Sequence, residues 1–295
     1  MGFKCLISDN SIYVYSTKDI ILAVYVDDIL VFAKNTLIID EFFTDLRNKG
    51  LDISNLGPIK EFLGIEINRS RGTRSLHISQ EGYISRLLER YNKTKLKPLS
   101  KPYKEGIVLE RFEGQASKDD ILQYQKEIGA LIYLTIYTRA DLAFRVGQLA
   151  RFISNPSINH FKALNDVWAY LNATKSYAIG FSMSNDQSTT NSLSIIGYTD
   201  ADWGGDIATR KSTSGYINLL SSRLNKDFKG LITFPISCNS KLQKTVALSS
   251  CEAEYMAYKE SFKETIYINS LLSELPGYIQ SLFTKTNTVY TVRIA

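Results

Sequence analysis

The sequence predicts a mixed fold, α+β / α/β. Three observations predict it. Ile20–Phe32 (IILAVYVDDILVF) is rich in β-branched and aromatic residues on both sides of two adjacent carboxylates, which is the composition of paired strands. Between Ser117 and Leu171, apolar residues return every three or four positions, the spacing of amphipathic helices. From Tyr177 onward, four short strand-like runs precede one long helical pattern, and strands followed by a helix form an α/β or α+β unit.

In chain order, Met1–Thr17 reads as a strand with turns at Ser8-Asp9-Asn10 and Ser16-Thr17-Lys18-Asp19. A hairpin follows, with Asp27 and Asp28 at its tip. Leu37–Gly50 is helical, with Ile38, Ile39, Phe42, Phe43 and Leu46 on one face and Gly50 as the stop. Leu56–Asn68 carries a Gly-Pro turn and then an apolar strand, and Ser75–Ile78 is a short strand. Ser79 caps a helix running to about Tyr91, with Tyr83, Ile84, Leu87 and Leu88 on its apolar face. Lys93–Lys118 lacks periodicity, contains Pro98 and Pro102, and reads as a linker.

Ser117 with Asp120 opens one helix and Thr138 with Asp141 a second, each a capping box with Asp in place of Glu. The first buries Ile121, Tyr124, Ile128, Leu131 and Ile132. The second buries Leu142, Phe144, Val146, Leu149 and Phe152. After Asn155-Pro156 a third helix, Ser157 to Leu171, shows Ile158, Phe161, Leu164, Val167, Trp168 and Leu171. Strands are expected at Tyr177–Met183, Leu193–Thr199, Ser214–Leu220 and Thr233–Ser237, and a helix at Ser249–Leu272. A domain boundary falls near Ala173.

Composition narrows the function classes. The 295 residues allow two domains, and 44% apolar with 22% charged residues is ordinary for globular protein. The net charge of +5 is mild. It is concentrated in Ser85–Glu105, where Arg86, Arg90, Lys93, Lys95, Lys97, Lys101 and Lys104 face only Glu89 and Glu105. Such a strip, with Tyr91 and Tyr103 in it, could track a phosphate backbone or be a solvated linker. Cys5, Cys238 and Cys251 are unclustered, which fits a reducing compartment, and His77 and His160 lie near no cysteine pair, so no zinc site can be drawn. No apolar run reaches the about 20 residues of a membrane span, and the N-terminus has no secretory h-region. The expectation is an intracellular protein, cytoplasmic or nuclear, with no membrane partner.

Two carboxylate clusters carry the chemistry. Asp27-Asp28 at a hairpin tip stays within reach of water and of a divalent cation, since hard cations take oxygen ligands. The same dipeptide also occurs as an ordinary turn. In Gly197–Gly204 (GYTDADWG) Asp200 ends a strand, and Glu252 and Glu254 lie early on the following helix. A strand-end Asp and a facing helix Glu can share a metal, as two-metal nucleases do. Each acid taken singly also reads as a helix-start or surface residue.

Tyr25-Val26-Asp27-Asp28 with apolar flanks resembles the reverse transcriptase signature, and Tyr25–Phe32 its copia-type retrotransposon form. Tyr198–Gly204, Arg210–Tyr216, Gln243–Ser250 and Glu252–Ala257 resemble the ribonuclease H domain of the same polyprotein. Gly129–Leu134 and Thr138–Leu142 resemble its connecting region. The similarity runs in order from about Gly2 to about Leu275. It implies the end of a polymerase palm with thumb-like helices over 1–92, a linker and helical connection over 93–172, and a ribonuclease H-like mixed sheet with helix over 173–295. It implies Asp27, Asp28, Asp200 and Glu254 as catalytic and metal-binding residues, with Mg²⁺ or Mn²⁺. Leu63 and Gly64 would hold the primer end, and Lys93, Lys95, Lys97 and Lys101 would follow nucleic acid. RNA template, DNA primer and RNA–DNA hybrid are the implied partners.

The resemblance also implies groups outside these motifs. A further polymerase carboxylate belongs to a Val-Asp-x-x-x-Ala-Phe motif upstream of the hairpin. Two more ribonuclease H carboxylates include one in a Tyr-x-Asp-Asn-Gln strand, where Tyr290-Thr291 is followed by Val292-Arg293. Cys238 stands where the family has Trp, and Ser221–Thr233 is longer than the family's turn. The expectation is a truncated, impaired polymerase and ribonuclease H. The alternatives are a non-catalytic nucleic-acid-binding remnant or a non-functional pseudogene product.

Overall fold

The computed structural model describes residues 2–104, 109–182, 193–222, 232–280 and 288–291. Glu105, Met183, Val292-Arg293 and most of the Ser221–Thr233 turn lie outside the described residues. The fold is mixed α+β, with three four-stranded sheets among the described residues.

The first sheet joins β1 (Lys4–Cys5), β2 (Ile12–Tyr15), β3 (Ile20–Tyr25) and β4 (Asp28–Phe32), antiparallel in chain order. Helix α1 (Thr36–Asn48) starts where the Asn35 side chain accepts from the Ile38 N–H at 3.0 Å. It lays Phe42 and Leu46 on Ile20 and Leu22. The opposite face of the sheet, Leu6, Val14 and Ile21, is covered by Leu271, Leu275 and Ile279 from the end of the chain. Burial on both faces explains why β3 reads as a continuous apolar run rather than an alternation.

The second sheet is β5 (Glu61–Phe62), β6 (Ile65–Ser70), β7 (Ser75–Ser79) and β8 (Ala178–Ser182), antiparallel throughout. Helix α2 (Glu81–Arg90) follows β7, and its cap differs from the sequence reading. Ser79 does not cap it. Its hydroxyl donates to Glu66, and the same carboxylate accepts the Gly82 N–H at 2.7 Å. A charged acceptor reaching from β6 meets the orphan donors of the helix start better than a local hydroxyl.

Three helices form the main core: α3 (Lys118–Tyr137), α4 (Ala143–Ala150) and α5 (Ile158–Ala173). Tyr124, Ile128, Leu131, Leu134, Leu142, Val146, Leu149, Leu164, Val167, Trp168 and Leu171 are buried there with Ile84, Leu87 and Leu88 of α2. Ser117 caps α3 as the sequence indicates, accepting the Asp120 N–H at 3.0 Å. Ile132, Phe144 and Ile158, read as core, lie largely at the surface. Glu127 is buried instead, accepting from the Trp168 indole at 2.6 Å and Gln123 at 2.8 Å. Hydrophobicity alone cannot reveal a buried carboxylate that takes one of its donors, Trp168, from another helix.

Thr138 likewise ends α3 rather than capping the next helix, and its hydroxyl donates to Gln80 at 2.7 Å. The buried Arg139 donates twice to Asp141, at 3.0 and 2.8 Å, and to the carbonyl and hydroxyl oxygens of Thr174. A 3-10 turn at Ala140–Leu142 then leads into α4. The reason is hydrogen bonding: Arg139 and Asp141 are tied to the end of α5 through Thr174 and Tyr170, so the backbone follows that pair and not a capping box.

The third sheet is β9 (Leu193–Asp202), β10 (Thr213–Ser222), β11 (Ile232–Leu242) and β12 (Thr288–Thr291), in the order β11-β10-β9-β12. Only β12 on β9 is parallel. Helix α6 (Ser250–Glu274) packs on β9 and β10 through Ala253, Ala257, Ser261 and Thr265, and the short α7 (Gly277–Gln280) follows. At its far end, Glu274 accepts from the Ile7 N–H, the Ser8 N–H at 3.0 Å and the Ser8 hydroxyl, joining the chain's end to the turn after β1.

His160 gives this fold a pH dependence. Its Nδ1 accepts the Ser157 N–H at 2.8 Å, its Nε2 lies 3.0 Å from the Glu110 carbonyl, and its ring stacks on Phe152. Burial holds the imidazole below its ordinary value of about 6.5. The unfolded chain therefore binds the proton more readily, so stability is fully present above about pH 6.5 and is lost as pH falls toward the folded-state value. Thermal melts are expected to drop as pH falls below about 6.5, and His160→Gln, which keeps the capping geometry, is expected to flatten the drop. An equal drop in the variant would assign the effect elsewhere.

Candidate functional site

The first carboxylate pair sits on a two-residue turn. Tyr25 pairs with Asp28, which leaves Val26 and Asp27 as the turn itself. Val26 has φ +53. Mirror-image hairpin turns need a positive φ at this place and favour glycine there. A β-branched residue in that region is strained by about 1–3 kcal/mol. Val26 is 83% exposed, so packing does not impose the conformation. Tyr25, Val26, Asp27, Asp28 and Ile29 are all exposed, and β4 is an outer strand of its sheet. The result is two hard oxygen donors presented to solvent from the end of an apolar ribbon, an arrangement that fits a hydrated divalent cation. Among the described residues, no group of three His, Cys, Asp or Glu gathers to hold a metal.

The second cluster is split between β9 and α6. Asp200 is half-buried on β9 opposite Gly215. It lines a cavity of about 490 Å³ together with Asp141, Asp202, Phe144, Tyr216 and Cys238. Burial pushes the Cys238 thiol up, and the nearby Asp141 adds to this. Asp141 enters this cavity from the 3-10 turn before α4, and sequence reading assigned it no such place. Its signal was the neighbouring Arg139, which fixes the carboxylate from one side.

On α6 the two early acids separate by role. Glu252 serves the start of the helix: its carboxylate accepts the Leu248 N–H just before the Ser249 cap at 2.7 Å, while its own N–H donates to the Ser249 hydroxyl at 3.1 Å. Glu254 is half-buried, with one carboxylate oxygen shielded from water, and lies outside the cavity lining. The first turn of α6 is fastened to the sheet by Gln243, whose amide donates to the Ser214 hydroxyl and the Ala253 carbonyl, both at 2.9 Å. The Trp203 indole donates to the Ala247 carbonyl at 3.1 Å, fixing the approach to that helix.

Leu63 and Gly64 form the turn between β5 and β6, both with positive φ, +51 and +71. The Tyr133 hydroxyl donates to the Leu63 carbonyl, so α3 holds this turn in place. Along the basic strip the cations differ. Lys93 turns inward, donating to Asn165 at 2.7 Å and lying 3.4 Å from the buried Glu127. Lys104 pairs with Asp166 at 3.1 Å. Lys95, Lys97 and Lys101 are exposed.

Comparison with known proteins gives these features a setting. Residues 1–105 match the family model described as reverse transcriptase (RNA-dependent DNA polymerase). The chain is 38% identical over 264 residues to the retrovirus-related Pol polyprotein from transposon TNT 1-94 of Nicotiana tabacum, covering 87% of this chain and 18% of that protein. It is 34% identical over 277 residues to the retrovirus-related Pol polyprotein from transposon RE1 of Arabidopsis thaliana, covering 93% and 17%. A shorter match, 39% over 145 residues, covers 49% of this chain and 90% of the secreted RxLR effector protein 161 of Plasmopara viticola. The chain thus spans less than a fifth of the length of the polyproteins it matches.

Lys93 is expected to act on stability. Removing one partner of a buried ion pair costs about 3–5 kcal/mol, because the other charge stays buried. With its side chain 14% exposed and that of Glu127 2% exposed, Lys93→Met is expected to cost about 3 kcal/mol in urea unfolding, and Lys95→Met less than about 0.5 kcal/mol. Equal, small effects would remove the distinction.

Proposed function

The chain belongs to the Pol polyproteins of copia-type retrotransposons, and we propose that it supplies the carboxylate hairpin of an RNA-directed DNA polymerase together with a ribonuclease H-like unit. The observation that carries the reading is Asp27-Asp28 on a tight, exposed turn between two apolar strands, inside the segment that matches the reverse transcriptase family. In this reading 1–92 is palm and thumb-like part, 93–172 is linker and connection, and 173–295 is the ribonuclease H-like domain.

The proposed partners are an RNA template, a DNA primer and the hybrid they form. Asp27 and Asp28 would hold a divalent cation, Mg²⁺ or Mn²⁺, which when bound neutralises charge on the transferred phosphoryl group and activates the attacking oxygen. The chain's own residues set the rest. Asp27 is the ligand and Asp28 its neighbour. The apolar strands behind them keep the pair at the surface, because burying either charge unpaired would be costly. Gly64 lets the primer backbone come close, and the Tyr133 hydroxyl keeps that turn from moving away. Asp200 and Glu254 are the acids assigned to hydrolysis of the RNA strand. Lys95, Lys97 and Lys101 would follow phosphates, while Lys93 is engaged with Glu127 and Asn165.

Two adjacent carboxylates bind a hydrated cation weakly, and substrate phosphates supply the remaining oxygens. Mn²⁺ binding to the chain, followed by electron paramagnetic resonance, is expected at a dissociation constant of roughly 10⁻³ M. Primed RNA template should tighten it by at least about tenfold, and Asp27→Asn with Asp28→Asn should abolish the tightening, with the exposed Asp52→Asn as control. Tightening that survives the double substitution would refute the assignment. In parallel, cleavage of an RNA–DNA hybrid that persists in Asp200→Asn and Glu254→Gln would remove those two acids from the hydrolytic role.

A further inference from the structure

A compact group of exposed cations lies at the tip of the β6–β7 hairpin. Its sequence, Asn68-Arg69-Ser70-Arg71-Gly72-Thr73-Arg74, holds three arginines, and no acid occurs between Glu66 and Glu81. Every residue from Asn68 to Arg74 is exposed. None of the three guanidinium groups makes a salt bridge or donates a side-chain hydrogen bond among the described residues.

The tip is also ordered by its own bonds. Ser70 pairs with Ser75 to close a four-residue loop. The Arg74 N–H donates to the Arg71 carbonyl at 3.3 Å, the Thr73 N–H donates to the Ser70 hydroxyl at 3.4 Å, and the Thr73 and Ser75 hydroxyls lie 2.8 Å apart. Arg74 itself has φ +50. The arginines are therefore displayed from a fixed loop rather than from a loose tail, which lowers the entropy lost when they bind.

Charge on this hairpin is segregated lengthwise. Glu61 and Glu66 sit opposite each other at the other end of the ribbon, and the Glu66 carboxylate is occupied by the Ser79 hydroxyl and the Gly82 N–H. The bond from the Arg74 N–H to the Arg71 carbonyl closes a turn, which holds those two Cα atoms within about 7 Å, and Arg69 and Arg71, two positions apart, stand roughly 6–7 Å from each other. That is within one Debye length at physiological salt, so they act as a single positive field. Guanidinium groups match phosphate oxygens in fork geometry.

We infer that the β6–β7 hairpin tip, through Arg69, Arg71 and Arg74, is a contact for the phosphate backbone of a nucleic acid. The inference rests on the reading of the chain as a nucleic-acid-processing protein and adds a surface to it, separate from the carboxylate hairpin and from the basic strip. Contacts of this kind position the nucleic acid and carry no base sequence.

The test is fluorescence anisotropy of a labelled RNA–DNA hybrid with the whole chain, over potassium chloride from about 50 to about 200 mM. Each phosphate contact contributes about one unit to the slope of log affinity against log salt. The triple substitution Arg69→Gln, Arg71→Gln, Arg74→Gln is expected to reduce that slope by about three and to weaken binding at least about tenfold at low salt. Arg71→Gln alone, which also serves if the triple variant folds poorly, should reduce it by about one. Binding with an unchanged slope in both variants overturns the inference and leaves the proposed function standing. If the slope falls only on substitution of Lys95, Lys97 and Lys101, the basic strip is the contact and the hairpin is not. Absence of any hybrid binding by the unsubstituted chain overturns both readings. Retention on anionic vesicles in preference to hybrid would move the tip to a membrane surface and likewise overturn the inference.

Discussion

The strand that leads to the carboxylate pair begins with a stretch buried on both faces. Strand β3 packs Ile20 and Leu22 against α1, while Ile21 faces Leu271, Leu275 and Ile279 from the far end of the chain. A carboxylate at Ile20, Ile21 or Leu22 would be buried on one face or the other, at a cost the sheet has no partner to offset. Asp27 on the turn and Asp28 at the start of β4 lie beyond that buried stretch, where solvent and a cation can reach them. The same burial joins the first sheet to the last long helix. Glu274, at the end of α6, accepts from Ile7 and Ser8, so the first sheet is completed only when the last long helix is in place.

How much of this was readable in the sequence follows from how local each signal is. The β3–β4 hairpin was legible because apolar runs flank a polar dipeptide, and the observed register puts the turn at Val26-Asp27. The faces of α3, α4 and α5 were legible by their period, since Tyr124, Ile128 and Leu131, or Leu164, Val167 and Leu171, recur at helical spacing. The pairing of β8 with β7 was not legible, because two strands a hundred positions apart leave no mutual mark in a single sequence. Caps failed for a related reason. Ser79 and Thr138 have the right chemistry for a helix start, but Glu66 and Gln80 reach them from elsewhere in the fold. A cap is read locally and decided non-locally.

The candidate carboxylates divide in the same way. Asp27-Asp28 is one local unit, and its exposure follows from its flanks. Asp200 and Glu254 sit on separate elements, so whether they act together depends on how α6 lies on the sheet. That placement is fixed by Gln243, which bonds at once to Ser214 of β10 and to Ala253 beside Glu254. The motif containing Gln243 was visible in the sequence, but the amide's two partners were not. Glu252, only two positions away, is taken by the helix cap, so adjacency in sequence did not mean equivalence in role.

Charge behaves less locally still. The strip from Ser85 to Glu105 has the largest local excess of positive residues by composition, but Lys93 and Lys104 are turned to Glu127 and Asp166, acids from α3 and α5. Part of the excess is thus neutralised by the core it borders. The three arginines of the β6–β7 tip form a smaller group in the sequence, but the hairpin carries them beyond the reach of any acid in their own ribbon. What a polyanion meets is the charge left after internal pairing, not the charge counted along the chain. By that measure the basic strip counts for less than its seven cations, since a cation already paired with a buried carboxylate must first lose that partner before it can bind a phosphate.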